Sequence, residues 1–170
     1  MSHLFEQLWA FQHHRYAWIT VILPAILSLA ALVSYRRTAL RPDAIDAVLS
    51  SIVMSFATCW WTPAGLQILP YMAVAMIFVR VRDEAPAKSI ATAVRYTVVA
   101  AAWTWVVTLS VDVVGCMLHE QCRLADTGAA GWSDGLVLGP ILAATVVWGL
   151  YAMELISEWR RSRRSTFALA

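Results

Sequence analysis

The 170-residue chain is 60% hydrophobic and 14% charged, with a mean hydropathy of +0.63, a composition outside that of ordinary soluble domains. A net charge of +2, from 13 Lys and Arg against 11 Asp and Glu, implies no nucleic-acid partner. Every polar segment between apolar runs is shorter than roughly 20 residues, too short for a separate soluble domain. The chain therefore reads as an all-α integral membrane protein, one membrane domain over 1–170, and any chemistry takes place in or at the bilayer.

Residues 1–15 mix Leu4, Phe5, Leu8, Trp9 and Phe11 with Glu6, Gln7, His13, His14 and Arg15, as in a short amphipathic segment lying at the interface. A frayed leader is the competing reading. An apolar run over 16–35 follows, with Tyr16, Trp18 and Tyr35 at its ends, where aromatic rings favour the headgroup layer, and Pro24 predicts a kink. Ser28, Leu29 and Ala30 resemble a signal-peptide cleavage site. The apolar run continues to Val33, however, and the pattern is read as a retained first span. Runs over 44–61 and 66–81 flank Thr62, Pro63, Ala64 and Gly65, giving a tightly turned hairpin whose short arms either span or re-enter. In the first arm Ala47, Ser51, Ser55 and Thr58 share a face. Spans over 90–114 and 136–159 complete a bundle of about five transmembrane helices.

Three basic clusters orient the bundle. Arg36, Arg37 and Arg41 follow the first span; Arg80, Arg82 and Lys88 follow the third; Arg160, Arg161, Arg163 and Arg164 follow the fifth. Five spans put all three on one side, which the positive-inside rule makes cytoplasmic, so the N-terminus is outside and the C-terminus cytoplasmic. The expected location is a bacterial cytoplasmic (inner) membrane, multi-pass. The tail over 160–170 is the one candidate for disorder, its arginines being topology determinants that meet anionic lipid headgroups. The layout of the first 88 residues, an outside N-terminus, a basic turn, a tight hairpin and a charged exit, is similar to that of three-span phage holins. Topology alone carries that resemblance, and the two further spans depart from it.

Polar residues cluster in the last two spans. Thr97, Ala101, Thr104, Thr108 and Asp112 recur at spacings of three and four along one seam, while Gly135, Gly139 and Ala143 form a small-xxx-small row, and these rows are natural packing partners. Thr104, Thr108 and Asp112 also form a candidate polar path from the outer face, with helix packing as the plainer reading. Asp46, Arg95 and Glu154 lie within a turn or two of the cytoplasmic boundary, where a charge pairs or snorkels, and form a candidate ion cluster. Cys116 and Cys122, in the outer loop, are a candidate disulfide, and Cys59 is the odd thiol. A thiol-exchange enzyme is disfavoured because no C-x-x-C pair occurs. Trp103, Trp105 and Trp148 lie mid-span, either walling an apolar pocket or packing between helices.

The four histidines fall outside the spans, removing the ligands of a membrane haem. The common nucleotide, zinc-protease and hydrolase signatures are absent. No metal, cofactor or catalytic residue is expected. The leading expectation is a non-enzymatic accessory or assembly subunit acting through helix–helix association, with a membrane-protein partner or self-association. The alternatives are a holin-like oligomeric permeabiliser and a small transporter with an acidic path, although no inverted repeat is present.

Overall fold

A computed structural model describes residues 18–62, 65–67, 90–118 and 135–168. A π-helical turn, Trp18–Ile22, runs directly into α1, Leu23–Ser34. Pro24 stands at the start of α1, where its missing N–H breaks the i→i−4 ladder, and the wider π turn falls where that ladder is interrupted. Tyr35 closes α1 by donating its backbone N–H to the Ala31 carbonyl at 2.9 Å. A one-turn helix, α2, Arg36–Ala39, then reverses the chain. Arg41 is extended, as the residue before a proline must be, and Pro42 and Asp43 open α3, Pro42–Thr58. The acid in that first turn complements the helix dipole.

α3 stops short of the expected 44–61 span. Cys59 is extended, and Trp60–Thr62 (β1) pairs antiparallel with Gly65–Gln67 (β2) in the register Trp60 to Gln67, Trp61 to Leu66 and Thr62 to Gly65. The expected turn is therefore closed by a short β-ribbon, as β-favouring aromatic residues beside a Pro-Ala-Gly turn allow. Apart from this ribbon, the described chain is helical. The remainder of the expected 66–81 span, the amphipathic segment 1–15 and the basic cluster Arg80, Arg82 and Lys88 lie outside the described residues.

α4, Ile90–Leu118, is mainly apolar with no single apolar face and forms the centre: α1, α3 and α5 each pack against it. α5, Gly135–Ala168, covers its other side and continues as helix through the basic tail that composition marked for disorder. The arginines there are good helix formers and sit at the favourable C-terminal pole of the dipole. Over Ile90–Gly115 and Gly135–Arg161 these helices are long and apolar enough to cross a membrane; 44% of the central window is buried but only 22% of the outer one.

Small side chains fill about half of the interior, while large apolar ones cover much of the exterior. Ala39, Ala44, Ala47, Ala93, Ala100, Ala102 and Ala143 are buried, with Ser28, Thr38, Ser51, Ser55 and Thr104 among them. Leu23, Ile26, Leu27, Leu29 and Val33 of α1, Leu49, Val53 and Met54 of α3, and Leu138, Ile141, Leu142, Trp148, Met153 and Ile156 of α5 are exposed. The larger core groups, Val99, Trp105, Val107, Val111, Leu136, Val147 and Tyr151, lie mostly along α4 and the face of α5 turned to it. Interior hydroxyls close on their own helices: Ser51 donates to the Ala47 carbonyl at 2.6 Å and Thr104 to that of Ala100 at 2.7 Å. Each group is thereby satisfied without water.

Candidate functional site

Two places concentrate polar chemistry, and both lie on α4. The first is its contact with α5. A Cβ built on Gly139 would stand 3.4 Å from Thr104 Cγ2 and 3.5 Å from Thr108 Oγ1, and one on Gly135 would stand 3.8 Å from Thr108 Cγ2. Ala143, one turn further along, is fully buried. The threonine row of α4 thus faces the small row of α5, with the glycines bringing backbone against side chain. Asp112, on the same seam, is half-buried and engaged by a partner, so it belongs to the packed interior as much as to any path. The Thr97 hydroxyl is the exception: it is buried with no hydrogen-bond partner.

The second place is the end of the bundle where α2 turns. Arg41 donates from Nη1 to the Tyr96 hydroxyl at 2.6 Å, and its Nη2 lies 3.4 Å from Asp43 Oδ2. The ring of Tyr96 meets that of the fully buried Tyr151 at 6.0 Å between centroids, inclined by 36°. About two turns further along α4 from Tyr96, Trp103 donates its indole N–H to the Ala39 carbonyl at 3.2 Å. Arg95 stands over the ring of Tyr35, 5.9 Å from its centroid. A tyrosine–arginine clamp thus ties the α1–α3 turn to α4, and α4 to α5. With the guanidinium and carboxylate of the ion pair each about a third exposed, its direct contribution is small, on the order of 0.2–1 kcal/mol. The charge-assisted bond to Tyr96, at about 1.5–3 kcal/mol, dominates.

The expected cluster of Asp46, Arg95 and Glu154 is not drawn together. Arg95 is taken by Tyr35, Asp46 is exposed, and Glu154 is half-buried with a partner of its own. The residues that organise this end, Tyr35, Arg41, Tyr96 and Tyr151, carried only weak signals: tyrosines beside arginines at span ends, readable equally as an interfacial belt. Of the mid-span tryptophans, Trp105 is buried, Trp103 bridges to α2 and Trp148 is exposed on α5, so they do not wall one pocket. Cys59 is a free thiol whose Sγ lies 3.3 Å from the Phe56 carbonyl. Cys122 lies outside the described residues, and of Cys116 only the backbone, near the end of α4, is described. Arg160 and Arg161 are exposed, while Arg163 and Arg164 are described only as the helical backbone of α5.

Among the described residues, no group of three or more His, Cys, Asp or Glu stands together to hold a metal ion. No protein-family model, curated protein or solved structure matches the chain.

Proposed function

We propose that this chain is a multi-pass protein of a bacterial cytoplasmic membrane, a bundle of about five spans with the N-terminus outside, acting without catalysis as an accessory or assembly subunit through helix–helix association. The observation that carries the reading is the distribution of side-chain size: alanine, glycine, serine and threonine fill much of the space between helices, while Leu, Ile, Val and Met cover the outside of α1, α3 and α5. In water that exterior would be a severe aggregation liability. In lipid, where large apolar groups gain nothing by turning inward, helices associate through small residues and interhelical polar contacts.

The clamp supports the orientation. By joining the turn that carries Arg36, Arg37 and Arg41 to the start of α4 and the basic half of α5, it gathers two of the three basic clusters at one end. That end is cytoplasmic under the positive-inside rule. On this topology Cys116 and Cys122 face an oxidising compartment and form a disulfide.

Photo-crosslinking in intact membranes tests the proposal, with a photoreactive amino acid in place of the exposed Trp148. A single discrete adduct with another membrane protein is the expected result. A ladder of homo-oligomers with collapse of membrane potential on induction would instead establish a permeabiliser. A gradual leak abolished by Asp112→Asn would establish a transport path.

A further inference from the structure

The basic end of α5 borders an open depression of about 480 Å³ along one helix face, formed by Met153, Ile156, Ser157, Arg160 and Arg161. We infer that it seats one anionic phospholipid, its phosphate held by Arg160 and Arg161, with the Ser157 hydroxyl donated to the Glu154 carbonyl at 2.8 Å beneath it and the start of its acyl chains lying on Met153 and Ile156. This rests on the membrane reading above.

The lining residues recur at i, i+3, i+4, i+7 and i+8, so they form one face of the helix, graded from thioether and alkyl groups to a hydroxyl and then two guanidiniums. That gradient follows the membrane normal. At 1.5 Å per residue, Arg160 lies about 37 Å along the axis from Gly135, beyond a hydrocarbon core of roughly 30 Å and within the headgroup layer. Trp159, also exposed at this level, occupies the position of an interfacial anchor. Met153 and Ile156, one to two turns nearer the core, are 61% and 51% exposed and are available to chains. The acids nearest in sequence, Glu154 and Glu158, fall on the adjoining face and do not line the depression. Charge complementarity and the apolar floor together favour a lipid over a free anion: phosphate alone would leave Met153 and Ile156 with nothing to bury.

The test is native mass spectrometry of the full chain released from a zwitterionic detergent, titrated with palmitoyl-oleoyl phosphatidylglycerol, palmitoyl-oleoyl phosphatidylcholine and inorganic phosphate. One phosphatidylglycerol per chain is expected, with phosphatidylcholine weaker by at least tenfold and millimolar phosphate not displacing the lipid. Arg160→Gln and Arg161→Gln each weaken binding about fivefold, and together about 25-fold. Arg36→Gln with Arg37→Gln, exposed on α2 and not among the lining residues, changes it less than twofold. Because Arg160 and Arg161 are exposed, these variants keep the fold. Equal binding of both lipids, displacement by phosphate, or equal losses from the two arginine pairs would overturn the site. Carbonate extraction of the same membranes separates the failures: a chain that washes off sinks the membrane reading and the site together, whereas a chain that stays but binds no phosphatidylglycerol sinks the site alone.

Discussion

Enlarging Gly139 probes the close approach of α4 and α5. A methyl group there meets Thr104 Cγ2 at 3.4 Å and Thr108 Oγ1 at 3.5 Å, at the lower edge of ordinary contact. Across the interface Gly139→Ala is therefore accommodated, while Pro140, next in the helix, crowds a Cβ at this position and offsets the roughly 0.8–1 kcal/mol of backbone propensity that alanine would otherwise gain. Its predicted effect is close to neutral. Gly139→Leu adds three further carbons beyond a Cβ already in contact, and the helices must part or a rotamer must strain. Overpacking of this kind costs about 1–3 kcal/mol. For a chain of this length that is a fall in Tm of roughly 2–12 °C. Gly149 supplies the internal control, because nothing lies within 4 Å of its added Cβ, and Gly149→Leu leaves stability unchanged or raises it. The assay is thermal denaturation of the detergent-solubilised protein followed by size-exclusion chromatography. Equal losses from Gly139→Leu and Gly149→Leu would refute the close-approach argument. So would a Gly139→Ala variant as damaged as Gly139→Leu, since that would make backbone freedom, not space, the reason for glycine.

The clamp makes a second prediction: Arg41→Ala and Tyr96→Phe each cost about 1.5–3 kcal/mol, and a double-mutant cycle on thermal stability returns a coupling above about 1 kcal/mol. A coupling near zero would show the 2.6 Å bond to be incidental. Thr97→Val removes a buried hydroxyl that has no partner and, keeping the shape, is expected to stabilise the isolated protein by about 1–3 kcal/mol. A loss instead would mean the hydroxyl is satisfied in solution. Reversing Arg95 and Glu154 together will not restore accumulation lost in either single reversal, because the Arg95 guanidinium is placed by Tyr35. Rescue by the double reversal would contradict that placement. Thiol counting with maleimide is expected to find one reactive cysteine before reduction, Cys59, and three after; three before reduction would rule out the disulfide.

The long apolar helices were legible because a span must satisfy its backbone internally and has a fixed minimum length, so hydropathy alone locates α4 and α5. The seam between them was equally readable, since Thr104, Thr108, Gly135 and Gly139 repeat at helical spacing and small residues mark contact in lipid. The face of α3 followed the same rule: Ala47, Ser51 and Ser55 are buried as their spacing requires. The clamp was not legible. Tyr35 and Arg41 flank the short α2 while Tyr96 lies on α4 and Tyr151 on α5, and nothing in local periodicity says which tyrosine will meet which arginine. Arg95 illustrates the difficulty: its charge suggested a carboxylate partner, but the fold places an aromatic ring there, and a cation is attracted to either. The helical tail was missed for a simpler reason, since a run of arginines reads as solvated whether or not it continues a helix.

The central claim is a five-span bundle with its basic clusters inside. It is met most directly by labelling intact cells with a membrane-impermeant maleimide, using single-cysteine variants in a background where Cys59, Cys116 and Cys122 are replaced by alanine. Thr127→Cys, between α4 and α5 in sequence, is predicted to label from outside. Arg37→Cys, Lys88→Cys and Ser165→Cys are predicted to label only after the membrane is permeabilised. Labelling of any of these three in intact cells, or a silent Thr127→Cys beside a labelled control, would contradict the topology on which the account depends.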